Sequence, residues 1–283
     1  MAPRQQPSIL QRRFGAELRR LREGAGMSAP MAATRLGVDR TMISNIESGR
    51  FGVSPERLRR LASIYECNDP DLVDALAAMT GGRPKGWWDE YRGKIPPDFL
   101  DVAELEHHAT GIRTLQTAHI PGIFQTEEHA RALFDLFVPA LPRLEVELRV
   151  AQRLGRHRVV AGSPGTPYVG YVHEAALRMR IGGRRVAKGQ LHRLLEESER
   201  SNVRLLVIPF AAEGFPMAGD TVMYASAPNS QLDTVQVDSP IGAVFFDSPT
   251  HLANFRTRLD LVERVALNPE QSRDLILGII GNL

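Results

Sequence analysis

The chain has 283 residues, of which 43% are hydrophobic and 24% are charged, and its formal net charge is +2. This length predicts two domains, because single domains mostly contain about 100–200 residues. The composition is typical of a globular protein, and no apolar run approaches the ~18 residues that a membrane-spanning helix needs, so no membrane partner is expected. The first residues lack the apolar segment of a secretory signal, and Cys67 is the single cysteine, which excludes an intrachain disulfide and favours the cytoplasm.

The charge is unevenly distributed along the chain. Residues 1–66 contain twelve Arg and six Asp or Glu, a net charge of +6, so the other 217 residues carry −4. A basic head on a mildly acidic body indicates a polyanionic partner for the head. A basic face that is merely solvated explains the charge equally well.

Five short helices are predicted in the N-terminal part. Phe14, Leu18 and Leu21 share one face of a first helix that ends near Gly24. The next four helices are predicted to begin at capping residues, which are Ser28, Asp39, Ser54 and Asp69. Gly37 separates the second helix from the third.

In the third helix, Ile43 and Ile46 point to the core and leave polar side chains on the outer face. The outer set is Arg40, Thr41, Ser44 and Asn45. Several short helices with a glycine turn fit any small helical bundle as well as a helix-turn-helix.

The residues themselves favour the helix-turn-helix. The run from Met27 to Arg50, and above all its end, Ile43-Ser44-Asn45-Ile46-Glu47-Ser48-Gly49-Arg50, resembles the XRE (Cro/C1-type) family of phage-repressor-like DNA-binding domains. The resemblance implies an all-α helix-turn-helix domain over residues 1–82, whose third helix enters the major groove of double-stranded DNA.

The resemblance also implies roles for single residues. Arg40, Thr41 and Asn45 lie where the family reads bases, and Ser44 shares their face. Arg50 and Arg35 are expected to meet phosphates. Glu47 matches an acidic residue that pairs with an arginine of the first helix, here Arg22. Ala29 departs from the family, which often has Gln there, so one phosphate-anchoring side chain is missing.

Residues 83–283 are predicted to form a second domain, after a turn-rich linker at 80–86. Helical periodicity occurs at about 99–118, 127–138 and 144–158. A strand at 168–172, a helix at 186–200 and a strand at 203–209 give a β-α-β order. Three further strands, at 221–226, 233–237 and 242–246, and two helices, at 249–266 and 269–281, complete an α/β (α+β) domain.

No catalytic grouping is evident in this second domain. Neither an HExxH nor a CxxC spacing occurs, so no metal site, cofactor or enzymatic activity is expected. His173-Glu174 at a strand end is interpreted as structural. The acidic run at 196–199 is interpreted as a solvated helix face.

A second resemblance covers almost all of residues 87–283. It rests on blocks that occur in order: Trp87-Trp88, Ile120 to Arg131, Glu174 to Arg178, Ile181-Gly182-Gly183, Gln190-Leu191, and Asn202 to Phe210. These blocks resemble the DUF5753 domain. The resemblance implies an actinobacterial, antitoxin-like and WhiJ-like regulator, often encoded beside a small DUF397-type protein that is the expected binding partner.

The leading interpretation is a transcriptional regulator, most simply a repressor, that acts in the cytoplasm on nucleoid DNA. We expect a homodimer on a two-half-site operator, with the C-terminal domain controlled by the DUF397-type protein. The alternative is a C-terminal pocket for a small-molecule effector, lined by Trp87, Trp88, Phe124 and Phe210. An enzyme tethered to a DNA-binding head is the third hypothesis.

Overall fold

The computed structural model describes residues 6–80 and 85–283. They form two compact units. One unit contains the residues up to Gly86 together with Ala227–Asp233, and the other contains Trp87–Ser226 and Thr234–Leu283. The boundary predicted between residues 82 and 83 lies outside the described residues.

The N-terminal unit contains the five predicted helices. They are α1 (Ile9–Gly24), α2 (Ala29–Leu36), α3 (Arg40–Glu47), α4 (Pro55–Ile64) and α5 (Pro70–Ala78). Ser28, Ser54 and Asp69 cap helices as predicted, each side chain accepting a hydrogen bond from an amide three residues later. Asp39 takes the N-cap position of α3, but its exposed carboxylate makes no hydrogen bond to the helix amides.

The apolar faces of these helices form one core. Ile43, Ile46, Leu58 and Leu61 are fully buried, and Phe14, Leu18 and Tyr65 pack in the same cluster. Removing such a side chain from water contributes about 1.5–3 kcal/mol, so the core fixes which face of α3 remains outside.

Two glycines let α1 approach α3 closely. A Cβ on Gly15 would lie 2.4 Å from the carbonyl oxygen of Glu47, and one on Gly49 would lie 2.6 Å from that of Gln11. Gly49 also has a φ of +73°, which glycine adopts without strain. The backbone of α1 therefore supports the end of α3 directly.

The segment Ala227–Asp233 belongs to the N-terminal unit although it lies far away in sequence. Leu232 is buried in the helical core. Arg13, which is 2% exposed, donates to the carbonyl oxygens of Gln231 and Asp233 and forms an ion pair with Glu17.

The C-terminal unit is built on a mixed six-stranded sheet. The strands are β1 (Gly111–Gln116), β2 (Tyr168–His173), β3 (Val203–Ile208), β4 (Val222–Ser226), β5 (Thr234–Ser239) and β6 (Gly242–Phe246). Their spatial order is β3-β2-β1-β4-β5-β6. Strands β1, β2 and β3 run parallel to one another, and the remaining neighbours pair antiparallel.

Eight helices accompany the sheet in the described part of this unit. They are α6 (Pro97–His108), α7 (Glu127–Phe134), α8 (Arg143–Gly155), α9 (Arg158–Ala161), α10 (Glu174–Arg178), α11 (Arg184–Glu197), α12 (Pro249–Val265) and α13 (Pro269–Gly281). The predicted β-α-β order is confirmed, because α11 lies between the parallel strands β2 and β3. The α+β class is also confirmed.

One predicted element is wrong. The helix expected over 99–118 ends at His108, and residues 111–116 form β1, a central strand of the sheet. Both neighbours of β1, the strands β2 and β4, follow it by more than 50 residues, so their pairing is a tertiary effect that local periodicity does not contain.

Apolar side chains hold α12 against one face of the sheet. Leu252, Leu259 and Val262 of α12 pack in one cluster with Leu115, Tyr171 and Val235. Across the described residues, no helix is both long enough and apolar enough to span a membrane.

Candidate nucleic-acid interface

The outer face of α3 is polar and exposed. Arg40, Thr41 and Ser44 are exposed, whereas Ile43 and Ile46 on the opposite face are each 1% exposed. The burial of the two isoleucines fixes the rotation of the helix, so the three polar side chains face solvent together.

The side chains of Arg40 on this face and of Arg50 just after it have no charged or hydrogen-bonding partner among the described residues. Within the ranges 6–80 and 85–283, Arg40 and Arg50 form no ion pair and no side-chain hydrogen bond. An arginine without a carboxylate keeps all five N–H donors free for guanine O6 and N7 or for a phosphate.

Asn45 anchors the loop that follows α3. Its carbonyl oxygen accepts hydrogen bonds from the amides of Arg50 (2.9 Å) and Phe51 (3.2 Å) and from the hydroxyl of Ser48 (3.1 Å). The half-buried side chain of Asn45 makes no hydrogen bond within the described chain. The backbone of Asn45 thus holds Arg50 close to the end of α3, while its side-chain amide stays available.

The predicted pair of Arg22 and Glu47 is confirmed. Arg22 Nε lies 2.5 Å from Glu47 Oε1 and Nη2 lies 2.9 Å from Oε2, and both side chains are about nine-tenths buried. Arg22 also donates to the carbonyl oxygen of Met27. The hydrogen bond with Glu47 raises the pKa of Arg22 above its usual value despite burial. This pair ties α1 to the end of α3.

Two residues at the margin of the face complete it. Arg35 is exposed on the last turn of α2, where its guanidinium contacts the sulfur of Met27 at 3.7 Å. Phe51 is 47% exposed next to Arg50, and the sequence does not predict its position because a single aromatic residue in a loop forms no pattern.

The four aromatic residues considered for a pocket in the C-terminal unit have separate surroundings. Trp88 and Phe124 are fully buried, and Phe124 packs edge-on against Tyr168. Trp87 contacts the guanidinium of Arg158, whereas the exposed ring of Phe210 packs on His173.

The titratable residues singled out at the end of β2 have structural partners. His173 Nδ1 accepts from the amide of Ala175, and Glu174 accepts from the amide of Phe210 and from Arg178. In the ranges that the structure describes, no group of three or more His, Cys, Asp or Glu side chains is arranged to hold a metal ion.

The acidic run on α11 is not a fully solvated face. Glu197 is 1% exposed and contacts Arg193, Arg200 and His157 at 2.7–2.9 Å. The expectation was wrong for this residue because His157 and the packing around it come from another helical segment of the fold.

The fold of the N-terminal unit and the polar face of α3 define a helix-turn-helix, the class of domain that places a helix in the major groove of DNA. A family model described as a helix-turn-helix domain matches residues 13–76, and a model described as a domain of unknown function, DUF5753, matches residues 99–278. The chain therefore belongs to the DUF5753 family and carries a helix-turn-helix domain ahead of the family domain. No curated protein and no solved structure matches it.

Proposed function

We propose that this protein is a sequence-specific transcriptional regulator, a repressor, that binds its operator through α3. The observation that carries the proposal is the exposed, unpartnered polar face of a helix whose apolar face is locked in the core. A helix-turn-helix domain supports a DNA-binding regulator rather than an enzyme. The protein acts in the cytoplasm, on nucleoid DNA.

Six side chains make the DNA contacts. Arg40, Thr41 and Asn45 read base edges with Ser44 beside them. Arg50 and Arg35 neutralise phosphates and so set the position of the helix. Ala29 at the start of α2 contributes no polar anchor, which lowers the affinity of a single head.

The contrast between Arg40 and Arg50 tests this assignment. Arg40→Ala should weaken binding to the cognate operator by roughly 1–3 kcal/mol and leave binding to random DNA almost unchanged, because a lost guanine contact removes specificity. Arg50→Ala should weaken both DNAs alike and reduce the slope of log affinity against log salt by about one per site, because one fewer counterion is released.

Fluorescence anisotropy with selected and scrambled duplexes measures both effects, and circular dichroism verifies that the variants fold. Arg59→Ala is the matched control, because this exposed arginine of α4 lies outside the proposed face. Its Nη2 atom lies 3.9 Å from Oδ1 of Asp74. Equal losses on both DNAs for Arg40→Ala would reassign it from base reading to phosphate contact. Unchanged binding for both variants would reject docking through α3.

Repression is tested separately in cells. A reporter placed behind the operator should be silenced by the wild-type protein and released by Arg40→Ala. A reporter that the wild-type protein activates would reverse the proposed sign of regulation.

The C-terminal domain controls this activity through a small DUF397-type partner protein. The proposal follows the family resemblance, and it is supported by large exposed apolar side chains between α7 and the first turn of α8. They are Leu136, Phe137, Val138 and Leu144. A partner that buries these side chains removes apolar area from water.

Co-expression with the small protein encoded beside the gene tests the partner proposal. We expect the two to co-purify, and Val138→Asp with Leu144→Asp to abolish the complex. Leu277→Asp, at an exposed site on α13, is the control and should retain the partner. If isothermal titration calorimetry detects no binding of the small protein to the wild-type regulator, this mode of control is refuted. The effector-pocket alternative gains no support from the four aromatic residues, because Trp88 and Phe124 are parts of the core.

The regulator acts as a homodimer. One recognition helix covers too few base pairs for useful specificity, and two heads on half-sites one helical turn apart double the number of base contacts.

A further inference from the structure

The two edges of the sheet differ in how their backbone groups are satisfied. At the β3 edge, the amide of Val207 donates to the hydroxyl of Ser272 (2.9 Å), and its carbonyl accepts from the amide of Leu267 (2.8 Å). Leu267, just before α13, and Ser272, in its first turn, therefore occupy this edge at Val207. Strand β6 forms the other edge.

The register of β6 shows which of its groups point outward. Ser239 and Gly242 flank a two-residue turn and pair with each other, so they exchange both backbone hydrogen bonds. The next pair, Asp238 and Ala243, is then not hydrogen-bonded. In agreement, the amide of Asp238 points away from β6 and donates to the carbonyl of Thr221 at 3.0 Å.

The alternation leaves the N–H and C=O groups of Ala243 and Phe245 on the outer side of β6. These four groups make no hydrogen bond to any described residue of the chain. No residue of β6 is buried. Val244 is exposed, and the other four residues of the strand are partly buried.

This edge also lacks two features that often protect a strand from pairing, which are charged side chains and a bulge. Residues 240–246 contain no charged side chain, and the β5–β6 register is continuous, without a bulge. Ile241 is 95% exposed and Val244 is 38% exposed. An uncharged, regular and partly exposed edge is a template for another strand.

We propose that β6 is the dimerisation strand and that it pairs antiparallel with β6 of a second copy of this chain. The two-fold axis passes at Val244. Ala243 of each copy faces Phe245 of the other, which gives four backbone hydrogen bonds between the outward groups.

A second copy fits this edge better than an unrelated strand does. Strand β6 has no charged side chain, so two copies of it pair without like-charge repulsion within the strands. Gly242, two residues from the axis, pairs with Phe246 of the second copy, and the Asp98 carboxylate lies 3.2 Å from where a Cβ of Gly242 would lie. The pairing rests on the proposed function, since a two-fold axis matches an operator with two half-sites.

The pairing gives a direct cross-linking test. Residues at a non-hydrogen-bonded antiparallel pair have Cα atoms about 4.5 Å apart, within the range of a disulfide. In a Cys67→Ser background, which removes the single cysteine, Val244→Cys should form a disulfide-linked dimer under mild oxidation. Leu277→Cys, at an exposed position of α13, should remain mostly unlinked at the same concentration.

Two further variants test the interface by light scattering. Val244→Lys brings two positive charges together at the axis and should raise the dimer dissociation constant at least tenfold. Ala243→Pro removes an outward amide that β5 does not use, so the sheet is retained and the dimer is lost. Leu277→Lys should stay dimeric, and circular dichroism should show the same fold for all variants.

Each outcome distinguishes this proposal from the proposed function. Dimers that persist in both variants, without the Val244→Cys cross-link, would place the interface elsewhere. A wild-type protein that is monomeric both free and on two-half-site DNA would overturn the dimer and leave the edge to another protein. Binding to a single half-site, measured in parallel, reports on α3 alone. If neither the wild-type protein nor the variants bind the half-site while the wild-type protein remains dimeric, DNA recognition through α3 is refuted and the β6 interface is not.

Discussion

Arg22 and Glu47 are separated by 25 positions and are both nine-tenths buried, so each charge depends on the other for its stability out of water. The sequence predicted the pair because the helix-turn-helix pattern carries both positions. Arg13 and Glu197 were not predicted as buried charges. Besides its local ion pairs, each has a partner outside its own helix: Arg13 donates to the carbonyl of Gln231, and Glu197 contacts the imidazole of His157.

We expect Arg22→Ala and Glu47→Ala each to lower the free energy of unfolding of the N-terminal unit by about 3 kcal/mol, because each leaves a buried charge without its bidentate partner. The double variant should lower the free energy of unfolding by much less than the sum of the two single effects. Urea unfolding followed by circular dichroism measures the three values.

Arg19→Ala is the control for this cycle, since Arg19 and Glu23 form a solvent-exposed pair on the same helix. Its effect should be much smaller. Strictly additive losses in the cycle would show that the buried pair does not couple α1 to α3.

At the scale of elements, a helix or strand was predicted correctly where the contacts that determine it lie within its own segment. The helices of the N-terminal unit carry their own caps and apolar faces, and every predicted helix is present. Strand β1 has Ile112, Thr114 and Leu115 all buried, so it lacks the strict alternation of a half-exposed strand. Its apolar residues continued the spacing of α6, and only the strands that flank it in space distinguish the two structures.

The exposed face of α3 and the ion pair that ties it to α1 could be predicted, whereas the close backbone approach of the two helices could not. The two helices touch through Gly15, which the sequence shows only as a glycine within a helix.

Gly15→Ala should therefore displace α1 from α3, even though alanine favours helix formation. The new Cβ would lie 2.4 Å from a backbone oxygen, so relief requires movement of backbone and not of a flexible side chain. We expect a lower melting temperature and weaker operator binding.

Gly24→Ala provides the comparison at the end of the same helix, where a Cβ would meet no atom within 4 Å. It should fold and bind DNA normally. Wild-type melting and binding for Gly15→Ala would show that α1 does not fix the position of α3.

At the scale of the whole molecule, the sequence predicted two domains but not that the N-terminal unit takes in residues from the connection between β4 and β5. The turn-rich segment around Asn229 indicated only a link between strands. Nothing local to it shows that Leu232 belongs to the helical core.

The contribution of Ala227–Asp233 gives the prediction for the whole chain. We expect the fragment 1–82 to fold, because α1 to α5 bury their own apolar faces, but to melt below the temperature of the same unit in the full protein. The fragment loses Leu232 from its core and leaves the buried guanidinium of Arg13 without the carbonyls of Gln231 and Asp233. Leu232→Ala in the full chain should reproduce part of the loss of stability, on the order of 2–5 kcal/mol for a buried leucine.

Hydrogen exchange of the α1 and α3 amides measures the stability of this unit separately from the rest of the chain, and Leu277→Ala is the exposed control. An unfolded fragment would mean that the five helices do not suffice as a domain, and identical exchange in the wild type and Leu232→Ala would remove the segment from the energetics of the helix-turn-helix.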